Sequence, residues 1–212
     1  MPTKFDQLST YSKNTFLFDI GHVLLNFDFE TSLTKLVPTG FKNPQVYVHR
    51  VLERKDALEK GEIDPIVFAQ WALKILNSEA TVEQFYQSWQ QIFTPNEAMW
   101  NCIRGLAQKN HTLILISNIN AIHCPWIFEH YPEFAFFEHH ILSFEVGMLK
   151  PNPAIYRYAI DTYRLNPENT VYVDDQYQNI AMGKSMGFQC WQYDSKQHLA
   201  FENWLKELHL LR

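Results

Sequence analysis

Cysteine is nearly missing from this chain. Cys102, Cys124 and Cys190 are its three cysteines, far apart and without a CxxC spacing, so neither a disulfide framework nor a zinc ribbon is indicated, and a reducing compartment suits them. Long hydrophobic runs are missing too. No stretch approaches the roughly 18 uncharged apolar residues of a membrane span, and the opening MPTKFDQLSTYSKN has no signal-peptide core. The expectation is a soluble, cytoplasmic protein with no membrane partner. Positive charge is not in excess, with 18 Lys and Arg against 23 Asp and Glu and a net charge of -5. That argues against a nucleic-acid footprint and leaves small-molecule chemistry as the better expectation. There is no internal repeat, low-complexity tract or Pro/Gly-rich linker, so a second unit should pack against the first rather than swing on a tether. Nothing in the pattern specifies an oligomeric state.

What the chain does have is core material: 46% of its 212 residues are hydrophobic and 15% aromatic, enough to bury a substantial interior. Short apolar runs alternate with amphipathic segments from about residue 97 onward, the pattern of an α/β fold with a mostly parallel sheet. The runs are TFLFD to Asp19, TLILIS to Ser117, HHILSF before Glu145, TVYVDD to Asp174 and Asp175, and FQCWQY. Between them, EAMWNCIRGLAQK puts Met99, Cys102, Ile103 and Leu106 on one helical face, and PAIYRYAIDTYR does so with Ile155, Tyr158, Ala159 and Tyr163. Asn110 and Gly187 fall where helix ends are expected.

Residues 28–95 break this alternation and read as an inserted helical unit with almost no strand. Asp64 before Pro65 starts a helix carrying Val67, Phe68, Trp71, Ala72 and Ile75 at helical spacing. TVEQFYQSWQQIF aligns Phe85, Trp89, Ile92 and Phe93, a stripe read as core rather than as pocket lining.

Three predicted strands end in polar residues: Asp19, Ser117 with Asn118, and Asp174 with Asp175. In an open parallel sheet, ligands bind beyond the carboxyl ends of the strands, so these residues should converge. Three carboxylates so close repel one another unless a cation lies among them. Mg²⁺ suits oxygen ligands and leaves room for a substrate phosphate. Asp19 is the best nucleophile, able to form an aspartyl-phosphate. The backbone turns at Gly21, whose carbonyl can approach a metal without a side chain intervening. Asp174 would bind the metal directly, and Asp175 either directly or through water. The Ser117 hydroxyl, the Asn118 backbone N–H and Lys150 of GMLKPNP can hold phosphate. Taken singly, each feature has a plainer reading as a turn, a helix cap or a solvated lysine.

Together these stretches resemble the haloacid dehalogenase-like hydrolase superfamily. FLFDIGHVLL is similar to its first motif, LILISN to its second, the lysine of GMLKPNP to its third and VYVDDQYQNI to its fourth, all in order. The resemblance implies a Rossmann-like parallel-sheet core of residues 1–27 and 96–212, with residues 28–95 as a helical cap of the family's first type. Within the superfamily the likeness is to bacterial sugar-phosphate phosphatases of the glucose-1-phosphate phosphatase type, with Glu59 to Ile63 matching an EKGEI-like segment of the cap. It implies Asp19 as nucleophile, Mg²⁺ held by Asp19, the Gly21 carbonyl and Asp174 with Asp175, and Ser117, Asn118 and Lys150 on the phosphate of a small metabolite.

The family's usual second aspartate, two residues after the nucleophile, is here Gly21. That residue protonates the leaving group, a service worth roughly 10²- to 10⁴-fold. His22 is adjacent and is the candidate substitute, with a packed loop histidine as its plainer reading. A dehalogenase is disfavoured because its chemistry needs no metal and would leave the Asp174–Asp175 pair as an expensive charge cluster. A phosphosugar mutase is disfavoured by Gly21. The rival from another class is a binding module that kept the phosphate and metal residues but lost turnover. A zinc site among His123, Cys124, His130, His139 and His140 matches no known spacing. Phe27, Asp28, Glu59 and Trp71 are candidates to face the organic part of a substrate.

Overall fold

Each apolar run becomes a strand. A computed structural model describes residues 13–211; residues 1–12, assigned above to the core and read as carrying no leader, lie outside the described residues, as does Arg212. Strand β1 (Thr15–Phe18) leads through a tight turn into β2 (Leu25–Phe27). Five helices follow: α1 (Phe29–Thr34), α2 (Pro44–Leu52), α3 (Lys55–Glu59), α4 (Pro65–Leu76) and α5 (Val82–Gln90). β3 (Phe93–Pro95) then returns to the core, where α6 (Glu97–Gln108), β4 (Thr112–Ser117) and α7 (His123–His130) are followed by β5 (His139–Leu142), α8 (Ser143–Val146) and α9 (Pro153–Tyr163). The chain finishes with β6 (Thr170–Asp174), α10 (Tyr177–Ser185), β7 (Gln189–Gln192) and α11 (His198–Glu207).

The main sheet is parallel throughout, in the order β5-β4-β1-β6-β7. Its central strands are buried on both faces, as parallel strands covered by helices must be. Phe16 and Phe18 of β1, Leu113 and Leu115 of β4, and Val171 and Val173 of β6 join the layer containing α6 and α11. Leu17, Ile114, Ile116 and Tyr172 face the opposite layer, with α9 and α10. The expected helix ends are found, Asn110 at φ 58° and Gly187 at φ 88°. Helices α1 to α5 enclose a separate apolar cluster around Phe68, Phe85 and Trp89. Among the described residues, no helix is long and apolar enough to cross a membrane.

Some expectations need correction. On α9, Ile155 and Ala159 are buried but Tyr158 is 38% exposed, and Tyr156 takes its place by packing edge-on against Tyr172. On α4 the buried stripe runs through Phe68, Ala69, Ala72, Leu73 and Leu76, while Val67 is 58% exposed. Asp64 caps this helix through the N–H groups of Ile66 and Val67, and the first turn faces away from the helical cluster. The α5 helix stops at Gln90, so Phe93 leaves the predicted stripe. It pairs instead with Phe27 in an antiparallel β2–β3 ribbon within a region read as nearly strand-free.

One glycine is dictated by packing. A Cβ on Gly183, where α10 crosses the sheet, would lie 2.5 Å from the Tyr172 ring and 3.0 Å from Cys190 Sγ. Gly183→Ala is therefore expected to destabilise by roughly 1–3 kcal/mol through overpacking. Calorimetry should show a lowered melting temperature; an unchanged value would contradict the packing argument.

Candidate active site

The carboxyl ends of the three central strands meet as the sheet topology requires, since the chain reverses its direction of strand addition beside β1. Asp19 follows β1 with its N–H bonded to the Val173 carbonyl at 3.0 Å. Its Oδ1 accepts from the Ser117 hydroxyl at 2.8 Å and the Ile20 N–H at 2.7 Å. Lys150 Nζ lies 2.9 Å from the same oxygen and 2.6 Å from Asp174 Oδ2. Asp19, Asp174 and Asp175 each bring a carboxylate oxygen to within 4.8 Å of the others. Asn118 exchanges two hydrogen bonds with the backbone of Lys150, at 2.8 and 3.0 Å, so its side chain fixes that lysine in place.

Charge is the dominant feature of this cluster. Burial pushes the Asp19 carboxyl up, a trend opposed by Lys150 and reinforced by Asp174. Asp174 is buried as well, but Lys150 and donors including the Tyr172 hydroxyl hold it below its ordinary value. Asp175 is pushed up to about 7 by burial and by its two carboxylate neighbours. Lys150 is thus a single buried ammonium among three acids, and its own pKa is raised by Asp174 and Asp19 despite the opposing effect of burial. Asn179 donates to both oxygens of Asp174, at 2.9 and 3.1 Å, while its own Oδ1 is buried with no partner. An all-oxygen donor set, an excess of negative charge and an orphaned acceptor beside it fit a hard divalent cation with its water shell.

Asp19, Ser117, Asn118, Lys150, Asp175 and Asn179 line a cavity of about 100 Å³, with Asp174 fully buried behind them. Gly21 lies on its wall, and a Cβ there would stand 3.0 Å from the Phe27 ring. The turn is tight: Gly21 bridges to Leu25, the His22 N–H bonds the Leu25 carbonyl at 2.8 Å, and His22 adopts a left-handed φ of 54°. Its ring packs on Phe27 with centroids 4.2 Å apart. Phe29 and Phe93 complete an aromatic side, so Phe93 lines the pocket as well as packing against the core that its helical spacing suggested. Of the four residues proposed to face substrate, Phe27 and Glu59 do line the cavity. Asp28 instead caps α1, and Trp71 lies beneath the Arg54 guanidinium on another surface.

Sequence reasoning passed over Asn179 and Lys55, and weighed His123 only as a zinc ligand. Asn179 stands five positions after Asp174, where the first turn of a helix leaving a strand end points back at that end. Lys55 comes from α3 and pairs with Glu59 at 2.6 Å. His123 is buried on the cavity wall, its Nε2 on the Trp89 carbonyl at 2.8 Å and its Nδ1 on Asn120 at 3.0 Å. Burial pushes its pKa down to about 3. With both nitrogens engaged, it is not free for the zinc site considered above.

Residues 13–187 match the family model described as haloacid dehalogenase-like hydrolase. The chain belongs to this family. Among curated proteins, D-ribitol-5-phosphate phosphatase of Bacteroides thetaiotaomicron is 25% identical over 206 residues, covering 92% of this chain and 96% of that protein. A crystal structure of a haloacid-dehalogenase-family enzyme from the same organism superposes with a TM-score of 0.77 at 23% identity, covering 92% of this chain and 98% of that one. The same enzyme in complex with magnesium and inorganic phosphate gives 0.73 at 22% identity, over 88% and 98%. L-2-haloacid dehalogenase of Xanthobacter autotrophicus shares the fold at 0.63 and 18% identity, over 94% and 85%. The parallel sheet with flanking helices is thus the Rossmann-like fold of this family.

Proposed function

We propose that the protein is a Mg²⁺-dependent phosphatase that hydrolyses a small phosphate monoester, a sugar phosphate by preference, through an aspartyl-phosphate on Asp19. The observation that carries this reading is the state of the Asp19 carboxylate. Ser117, Ile20 and Lys150 fix Oδ1, while Oδ2 takes no hydrogen bond among the described residues on a side chain that lines the cavity. A carboxylate held by one oxygen and free at the other is positioned for attack. The sugar-phosphate class is supported by the relative that acts on D-ribitol 5-phosphate.

In this reading Asp19, the Gly21 carbonyl, Asp174 and Asp175 would hold Mg²⁺, with the unpartnered Asn179 Oδ1 beside them as a further acceptor. The cation, when bound, offsets charge on the phosphate oxygens and on the surrounding acids. Ser117, the Asn118 N–H and Lys150 hold the phosphate in line with Asp19. Asp19 attacks phosphorus, the ester oxygen leaves, and water then releases phosphate from Asp19. Residues 28–95 form the cap over this site, and residues 1–27 with 96–212 form the core. The protein works as a soluble cytoplasmic enzyme on a small phosphorylated metabolite.

The test is phosphate release from a panel of sugar phosphates, nucleotides and phospho-amino acids. At least one sugar phosphate should be hydrolysed with Mg²⁺, and activity should vanish on chelation and return when the metal is restored. Tight phosphate binding with no turnover of any ester would make the chain a binding module instead.

A further inference from the structure

The usual leaving-group acid is not simply missing from this site. The Phe27 ring stands 3.0 Å from where a side chain on Gly21 would begin, so an acid there would have to push that ring aside. A carboxyl group to replace it is found on another wall of the cavity. Glu59, at the end of α3, lines that cavity and is 5% exposed. Two contacts fix its backbone against the core. Ser143 Oγ lies 2.5 Å from the Glu59 carbonyl, and Gly61, at φ 73°, sits so close to Phe144 that a Cβ would meet its carbonyl oxygen at 2.5 Å.

Resting on the phosphatase reading above, we propose that Glu59 is the acid and base of the reaction, protonating the leaving oxygen in the first step and deprotonating water in the second. As the phosphorus–ester bond breaks and the phosphorus–Asp19 bond forms, the Glu59 carboxyl proton passes to the ester oxygen, which departs as an alcohol. The Glu59 carboxylate then takes one proton from water as its oxygen attacks phosphorus. This frees Asp19 and phosphate and restores the carboxyl group.

The surroundings suit both halves of the cycle. Burial pushes Glu59 up to about 7, against the lowering effect of Lys55 and with smaller raising effects from Asp56 and Asp19. An acid poised there can both give and take a proton near neutrality. Helix α8, packed against α3, brings Glu145, which turns toward His140 at 3.9 Å. His22, His123, Lys150 and Asp175 complete the titratable groups of the walls. His123 is held neutral by burial, and Lys150 is held charged by Asp174 and Asp19.

The experiment follows single-turnover phosphorylation of Asp19 in the Glu59→Gln protein, using a hydrolysable sugar phosphate and dinitrophenyl phosphate, whose leaving group needs no proton. Phosphorylation by the sugar phosphate should slow by about 10²- to 10⁴-fold and that by the aryl ester by less than about threefold. The phosphorylated protein should also persist, visible by mass spectrometry. Equal slowing with both esters, or slowing with neither, overturns the proposal. Lys55→Met gives an independent measurement that does not depend on how well the glutamine variant folds. Removing the cation that lowers Glu59 should move the alkaline limb of the sugar-phosphate pH profile upward, and an unmoved limb overturns the assignment. If the unmodified protein hydrolyses no ester at all, it is the phosphatase reading that fails, before Glu59 is in question.

Discussion

Asp19→Asn is expected to lower phosphate release by roughly 10⁴-fold or more, because the residual activity of an enzyme without its nucleophile rests on binding alone. The change is nearly isosteric. The amide oxygen can still accept from Ser117 and from the Ile20 N–H, which hold the present carboxylate at 2.8 and 2.7 Å. It also removes one of three acids crowded within 4.8 Å of one another. The variant should therefore melt no lower than the parent protein in metal-free buffer. Loss of turnover with an unchanged or raised melting temperature assigns the loss to chemistry. Retained turnover would remove Asp19 from the mechanism.

Lys150→Met should have the largest effect on stability. The lysine side chain is 1% exposed and touches both Asp19 and Asp174. Methionine fills similar space but leaves the acids without a buried counter-charge. Removing one member of a buried ion pair costs about 3–5 kcal/mol. A metal ion bound by the same acids should recover part of it, since binding at 100 times the dissociation constant stabilises by about 2.7 kcal/mol. Melting curves with chelator and with excess Mg²⁺ should show the variant far less stable than the parent without metal, and gaining more from the metal. Equal gains in the two proteins would mean that Lys150 does not balance the charge of the metal site.

The strand ends were legible because a buried parallel strand is a short apolar run whose first polar residue marks the edge of the sheet. Asp19, Ser117 and Asp174 announced themselves in that way. Phase was harder to read. Tyr156 and Tyr158 are both aromatic on α9, and only the position of Tyr172 beneath the helix decides between them. Phe93 was misplaced because apolar spacing continues past Gln90 while the backbone does not. Glu59 of α3 was named as facing substrate, but the other cavity residues supplied by α3 and α7 were less legible still. Lys55 and His123 carry no local signature, and they reach the Asp19 cavity through long-range contacts such as the Ser143–Glu59 bond and the ring of His123 beside Trp89. Gly21 was legible as an absence, but that Phe27 fills the place beside it was not.

The ribbon of β2 and β3 has a consequence for how this chain can be altered. Phe27 and Phe93 lie directly opposite one another in register, so everything between them leaves and re-enters the core at one point, like the loop of a hairpin. The paired ends hold that excursion at its base, and α3 and α5 hold it again where they pack on α8 and α7. On the reading proposed above, exchanging the intervening segment at these two phenylalanines would change which molecules are admitted while β1 and β4 keep their places, and the new segment would have to bring its own acid to the position of Glu59.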